Sequence, residues 1–150
     1  GLLLLGYILH MRLSLGITLG ALMGTLMMLN VWLIIWPNQK IVIGLESGDK
    51  AAAGPKAALA SRTNTLLSLP MLFFMVASGH ASPIANGGVW GGAGDMAMST
   101  MALVIGLAIV VIVEANAIWG KMNGAIQSVS SVITSSIILT AIMGGVVYYL

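Results

Sequence analysis

Few side chains in this chain are able to do chemistry, and their positions are informative. Glu114 is the one charged residue deep in the apolar block Met98–Trp119. An ionisable group in hydrocarbon costs a few kcal/mol or more, so it faces a partner or a cavity. Two readings stay open. In one, Glu114 is a proton relay, a quinone-adjacent acid or an ion ligand. In the other it snorkels at a span end or pairs with Lys121 or Arg62, and the proximity of Trp119 and Lys121 favours this second reading. Asn116 follows two residues later and does not share the helical face of Glu114. Asn30 is an amide about two helical turns inside another apolar block, where it must find a hydrogen-bond partner. Asn64 or Thr63 can supply one, or can cap the second helix.

His10 and His80 are the two histidines. They fall near the same end of the first and second apolar blocks, at the edges and not well inside, which disfavours paired haem ligation. Met96, Met98 and Met101 cluster beside Asp95 and His80, and soft thioethers suit Cu(I). With 11 Met in the chain, packing is the simpler account of these residues. No metal or cofactor is therefore assigned; haem and copper are the disfavoured alternatives, and His80, Met96, Met98 and Met101 are the residues a metal would use. The chain has 0 Cys, so it holds no disulfide, thiolate metal site, iron–sulfur ligation or covalent c-type haem attachment. A net charge of +2 from six basic and four acidic residues is too small for a nucleic-acid surface. No nucleotide loop, Ser–His–Asp grouping or zincin helix is present, and Gly87-Gly88 and Gly91-Gly92 do not follow a strand pattern. These absences lean away from an enzyme without deciding the matter.

The elements that must position these residues are long and apolar. The blocks Leu13–Trp36, Leu66–Gly79, Met98–Trp119 and Ile126–Leu150 are separated by short polar stretches. Only 7% of the residues are charged and the mean hydropathy is +1.04, whereas a soluble domain carries about 25% charged residues. Roughly 20 residues at about 1.5 Å each cross a hydrocarbon core of about 30 Å. The expectation is an all-α fold: a polytopic transmembrane helical bundle of about four spans, forming a single domain over 1–150. The spans are placed at about 13–36, 62–81, 98–119 and 126–149, with a loop at 37–61. Pro37 is expected to stop the first span and Pro70 to kink the second. Lys40–Thr65 holds four of the six basic residues, which makes it cytoplasmic by the positive-inside rule, and the Gly-rich 82–97 stretch then lies outside. Gly1–Met11 is apolar but brief, and a first residue that is not Met fits either a removed initiator or a start inside a longer chain.

Gly16, Gly20 and Gly24 form a small-xxx-small series that lets a neighbouring backbone approach one face of the first span, within this bundle or on another subunit. Ser128, Ser131 and Ser135, with Ala125, give the last span a second small-residue face. Asn38, Arg62, Asn64 and Pro70 lie at the ends or kinks of the first two spans.

Two stretches go beyond composition. Asn30-Val-Trp-Leu-Ile-Ile-Trp-Pro-Asn-Gln-Lys closes the first span, and Ser61-Arg-Thr-Asn-Thr-Leu-Leu-Ser-Leu-Pro-Met-Leu-Phe-Phe-Met opens the second, which runs to His80. The pairing resembles the membrane domain of the bacterial membrane-bound urate oxidase family over roughly Gly16–His80. The resemblance implies a place in the bacterial inner membrane and a family architecture of about eight spans with a C-terminal c-type cytochrome. This chain departs from that pattern: it lacks the Cys-x-x-Cys-His attachment site, and Val113-Glu114-Ala115-Asn116 lacks the basic and histidine residues expected there. The resemblance therefore supports shared architecture more strongly than urate oxidation. The leading expectation is an accessory subunit, without catalysis of its own, of a respiratory or photosynthetic membrane complex, with the bilayer and other integral-membrane subunits as partners. A relative of a urate oxidase passing electrons to a cytochrome c is the alternative, and a small transporter or channel lined by Glu114 and Asn30 is the next. Arg62→Ala is expected to disturb insertion or loop docking more than chemistry; normal assembly with lost activity would contradict this.

Overall fold

The computed structural model describes residues 15–80 and 100–149. Helix α1 (Leu15–Leu29) runs directly into a π-helical segment (Asn30–Ile35) and then α2 (Trp36–Ile43). Helix α3 is Lys50–His80, α4 is Thr100–Trp119 and α5 is Val129–Tyr149. The four rods Leu15–Ile43, Lys50–Ala77, Thr100–Trp119 and Val129–Tyr148 are each long and apolar enough to cross a membrane. The protein is an all-α, multi-pass membrane protein.

Pro37 does not end the first rod. A proline in a regular α-helix lacks a donor N–H, and its ring collides with the carbonyl four residues back. Here the turn before it is widened: the Trp36 N–H bonds the Val31 carbonyl five residues back. Helix resumes at once, and Asn38 Nδ2 donates to the Ile34 carbonyl at 2.7 Å. The π segment thus absorbs the ring that would otherwise break the rod. The stop comes seven residues later, at Gly44, whose φ of 84° is left-handed. There Gly44 N–H bonds Ile41 O at 3.1 Å and Leu45 N–H bonds Lys40 O at 2.9 Å, a Schellman closure.

The stretch 37–61, expected as a loop, is therefore mostly helix. α2 occupies its start, and α3 begins at Lys50, well ahead of the expected position 62. Asp49 Oδ1 caps the new helix by accepting from the Ala51 N–H at 2.9 Å. Ala53, Ala57, Leu59 and Ala60 are buried on this extension, which explains why a polar, Gly- and Pro-containing sequence holds a helix: it packs.

α3 is the central helix and touches all the other rods. Gly16 and Gly20 of α1 face its later half, where a Cβ on Gly16 would lie 3.4 Å from Phe74 and one on Gly20 would lie 3.2 Å from Met75 and 3.4 Å from the Met71 carbonyl. A Cβ on Gly24 would meet Met71 at 3.9 Å, an ordinary van der Waals contact. This placement makes α1 and α3 antiparallel. α4 returns parallel to α1, with Gly106 against Leu19, and α5 runs parallel to α3, with Gly144 against Phe73. The core of the bundle is Leu19, Met23, Leu67, Phe74, Val110, Met143 and Val147. Outward faces carry Val104, Val111 and Ile112 on α4 and Ile133, Ile137 and Ile142 on α5, all exposed, as lipid-facing positions should be.

Pro70 lies inside α3, fully buried. It cannot donate to the Leu66 carbonyl one turn earlier. Ser136 Oγ, from α5, donates to that carbonyl at 2.8 Å. The bond that proline removes within one helix is replaced by a bond between two.

Ser136→Ala is expected to lower stability in lipid or mild detergent by about 0.6–2 kcal/mol. In a Pro70→Ala background, where residue 70 regains an N–H for Leu66, the same change is expected to cost close to nothing. Equal costs in both backgrounds, measured by reversible unfolding, would show that the serine does not act through that carbonyl.

Candidate functional site

The buried face of α4 is Ala102, Gly106, Val110, Glu114 and Ala117, spaced by three or four residues. Glu114 therefore points into the bundle and keeps 9% of its surface exposed. Opposite it stands Asn30, 2% exposed, the first residue of the π segment. Asn30 Nδ2 donates to Glu114 Oε2 at 3.2 Å and to Asn64 Oδ1 at 2.9 Å. Asn64 in turn donates from Nδ2 to the Met27 carbonyl at 2.9 Å. The bonds form a directed chain that joins the first rod, α3 and α4 at one level. Both amide hydrogens of Asn30 are spent, which is what a buried amide requires.

The electrostatics are unusual for a buried carboxyl group. Among the described residues, the ion pair is Lys40–Glu46, outside the bundle and close to the Gly44 turn. Lys121 is exposed in the turn after α4. Arg62 Nη1 donates to the Ile126 carbonyl at 3.4 Å and so ties α3 to the segment leading into α5. Glu114 thus pairs with neither Lys121 nor Arg62, against the favoured sequence reading. The reason is rotational: at a spacing of four from Val110, its Cα–Cβ bond faces the core, and the nearest donor there is Asn30.

Asn116 is half-buried at the end of α4, and its carbonyl accepts from the Gly120 N–H at 2.9 Å; it is not part of the cluster. Thr63 is buried, and its Oγ1 donates to its own helix at the Leu59 carbonyl, 3.1 Å away, so Asn64 is the partner that Asn30 finds. Asn64 does not cap α3, since that helix starts at Lys50.

The serines expected to form a packing face do different work. Ser128 precedes α5, and its Oγ accepts from the Ser131 N–H at 3.0 Å as an N-cap. Ser135 Oγ donates to the Ala125 carbonyl at 2.9 Å, folding the preceding turn onto the helix. The expected start at 126 is correspondingly shifted to Val129 by the Ser128 cap, with Asn123 Oδ1 accepting from the Ala125 N–H at 3.1 Å in the turn before it.

Of the candidate metal residues, Met101 is exposed on α4 and His80 is the last residue of α3. Met96 and Met98, together with His10 and Asp95, lie outside the described residues. Among the described residues, no group of three or more His, Cys, Asp or Glu converges to hold a metal ion. Two contributors escaped sequence reasoning. Ser136 sits one position from an expected serine, and only the missing donor of Pro70 points to it. Gly106 lets α4 approach α1 so closely that a Cβ there would lie 2.8 Å from Leu19 Cδ1; a glycine amid Val, Ile and Leu was the available signal.

Glu114→Gln is expected to leave stability nearly unchanged, because the amide oxygen of Gln still accepts from Asn30. Asn30→Leu is expected to cost about 2–4 kcal/mol, since it strands the acceptors of Asn64 and Glu114 in an apolar interior. Unfolding of both variants in lipid checks the contrast, and equal losses would contradict the bonding pattern.

The chain matches the protein-family model described as urate oxidase N-terminal over residues 8–143. The match extends well beyond the 16–80 stretch that carries the sequence resemblance and includes Asn30, Asn64, Glu114 and Ser136. No curated protein and no solved structure matches the chain in the same comparisons. Extending over most of its length, the match shows that the chain belongs to the urate oxidase N-terminal family.

Proposed function

We propose that the chain is a non-catalytic integral-membrane subunit of a urate oxidase-type, energy-transducing membrane complex. The observation that carries the reading is the direction of its polar bonds. Asn30, Asn64, Glu114 and Ser136 spend their hydrogen bonds on one another or on neighbouring helices of the same bundle. The outward faces of the rods remain apolar, with Trp32, Leu33, Ile112, Ile133 and Ile142 among the exposed side chains. Such a bundle is internally tied and offers its surface to lipid and to other membrane helices. Family membership supplies the link to urate oxidation.

Family membership also supports a second reading, a membrane domain that itself takes part in urate oxidation and passes electrons to a cytochrome c. The two readings separate in one experiment on bacterial inner membranes that contain the native assembly. Under the first, the chain co-purifies in fixed stoichiometry with redox subunits, and the isolated chain reduces no cytochrome c when urate is added. Urate-dependent cytochrome reduction by the isolated chain would overturn the first reading in favour of the second. A chain that is monomeric and alone in its native membrane would overturn the subunit assignment altogether.

A further inference from the structure

The Asn30–Asn64–Glu114 chain explains how the amides are satisfied, but among the described residues no basic side chain pairs with the charge of Glu114. A buried carboxylate requires either an opposite charge or a proton. On the first rod the facing group is Asn30, and the nearest charged side chain is Lys40, which is committed to Glu46. On α3 the facing group is Asn64; Arg62 points to the Ile126 carbonyl, and Lys56 is exposed nearer the helix start. On α4 itself Asn116 lies off the face of Glu114, and Lys121 lies exposed in the turn beyond it. On α5 the buried polar side chain is Ser136, held by Leu66, and the titratable Tyr148 packs against Phe73 and Phe74 in the half of the bundle where Gly16 lies.

We propose that Glu114 is a site of proton uptake and release inside the bundle, its counter-charge being a proton and not a basic side chain or a metal ion. The exchange is a simple dissociation: the carboxyl O–H bond breaks, the pair stays on oxygen, and the proton passes to water. Its route is toward the end of the bundle that carries Lys40, Lys56, Arg62 and Lys121. Glu114 lies five residues before Trp119, about 8 Å along the helix axis from the end of α4. The Trp119 and Met122 side chains there are exposed, and the buried side chains at that end include Ala117 on α4 and the Leu59, Ile126 and Val132 cluster. Toward the opposite end, Val110, Leu19, Met23, Phe74 and Met143 fill the interior between Glu114 and Tyr148. This inference does not depend on the subunit reading above, because it concerns a property of the bundle itself.

The test uses dicyclohexylcarbodiimide, an apolar reagent that adds to a carboxyl group in its acid form and leaves a stable adduct. The full chain in phosphatidylcholine vesicles is treated across mildly acidic to alkaline pH, and the modified residue is located by mass spectrometry. The expected result is an adduct on Glu114 that declines as pH rises and is absent in Glu114→Gln. Absence of an adduct on wild-type Glu114 at every pH would overturn the proposal. Protection by sodium or potassium chloride, but not by choline chloride, would also overturn it, because the counter-charge would then be a metal cation. In vesicles with unequal pH on the two sides, labelling is expected to follow the side bearing Lys121, and dependence on the opposite side would refute the route.

Discussion

The fold depends on a constraint imposed by hydrocarbon: a polar group inside the bundle must find its partner inside the bundle. Asn30 meets this constraint by binding two helices at once. Its two amide hydrogens fix Asn64 of α3 and Glu114 of α4 at the level where the first rod changes from α to π. A rotation of any of the three rods by one residue, about 100°, would carry its member out of reach. Apolar packing in lipid has no comparable directional preference, since a neighbouring helix and a lipid tail are equally apolar. The amide chain therefore sets the rotation of the helices, and close glycine contacts at Gly16, Gly20 and Gly106 set their distance.

The prolines follow the same rule. Pro37 and Pro70 each delete a backbone donor within a rod. The first is accommodated by a wider turn and an amide side chain from Asn38, the second by Ser136 from the neighbouring helix. The π segment begins at Asn30 and ends just before Pro37, so the feature that relieves the proline also contains the residue that organises the polar cluster. Such π turns occur often at functional sites because they present side chains at angles that a regular helix does not. Here the consequence is an amide turned fully inward, with Trp32 and Leu33 turned to the surface.

The sequence makes the broad architecture legible because hydrophobic blocks of span length have few alternatives. It also exposes Asn30 and Glu114 as polar intrusions, with Asn64 or Thr63 as a partner for Asn30. It does not reveal that Glu114 is their third member. That contact joins residues 84 apart in sequence, and only the relative rotation of α1 and α4 decides it. The proximity of Lys121 in sequence suggested a local ion pair, but neighbours along a chain are not neighbours around a helix. The helical start of α3 was hidden for a different reason: its glycine and proline argue locally for a loop, while burial of Ala53, Ala57, Leu59 and Ala60 prevails through packing. Ser128 and Ser131 were legible as small residues but not as a cap, since capping depends on where the helix starts.

The most direct test of this account is a double-mutant cycle between Asn30 and Glu114, with each residue changed to Ala singly and together and stability measured in lipid. The account requires the two changes to be coupled by about 1 kcal/mol or more, with the double variant losing less than the sum of the single losses. Additive losses would mean that the two side chains do not hold each other, and the central tie of the bundle would have to lie elsewhere.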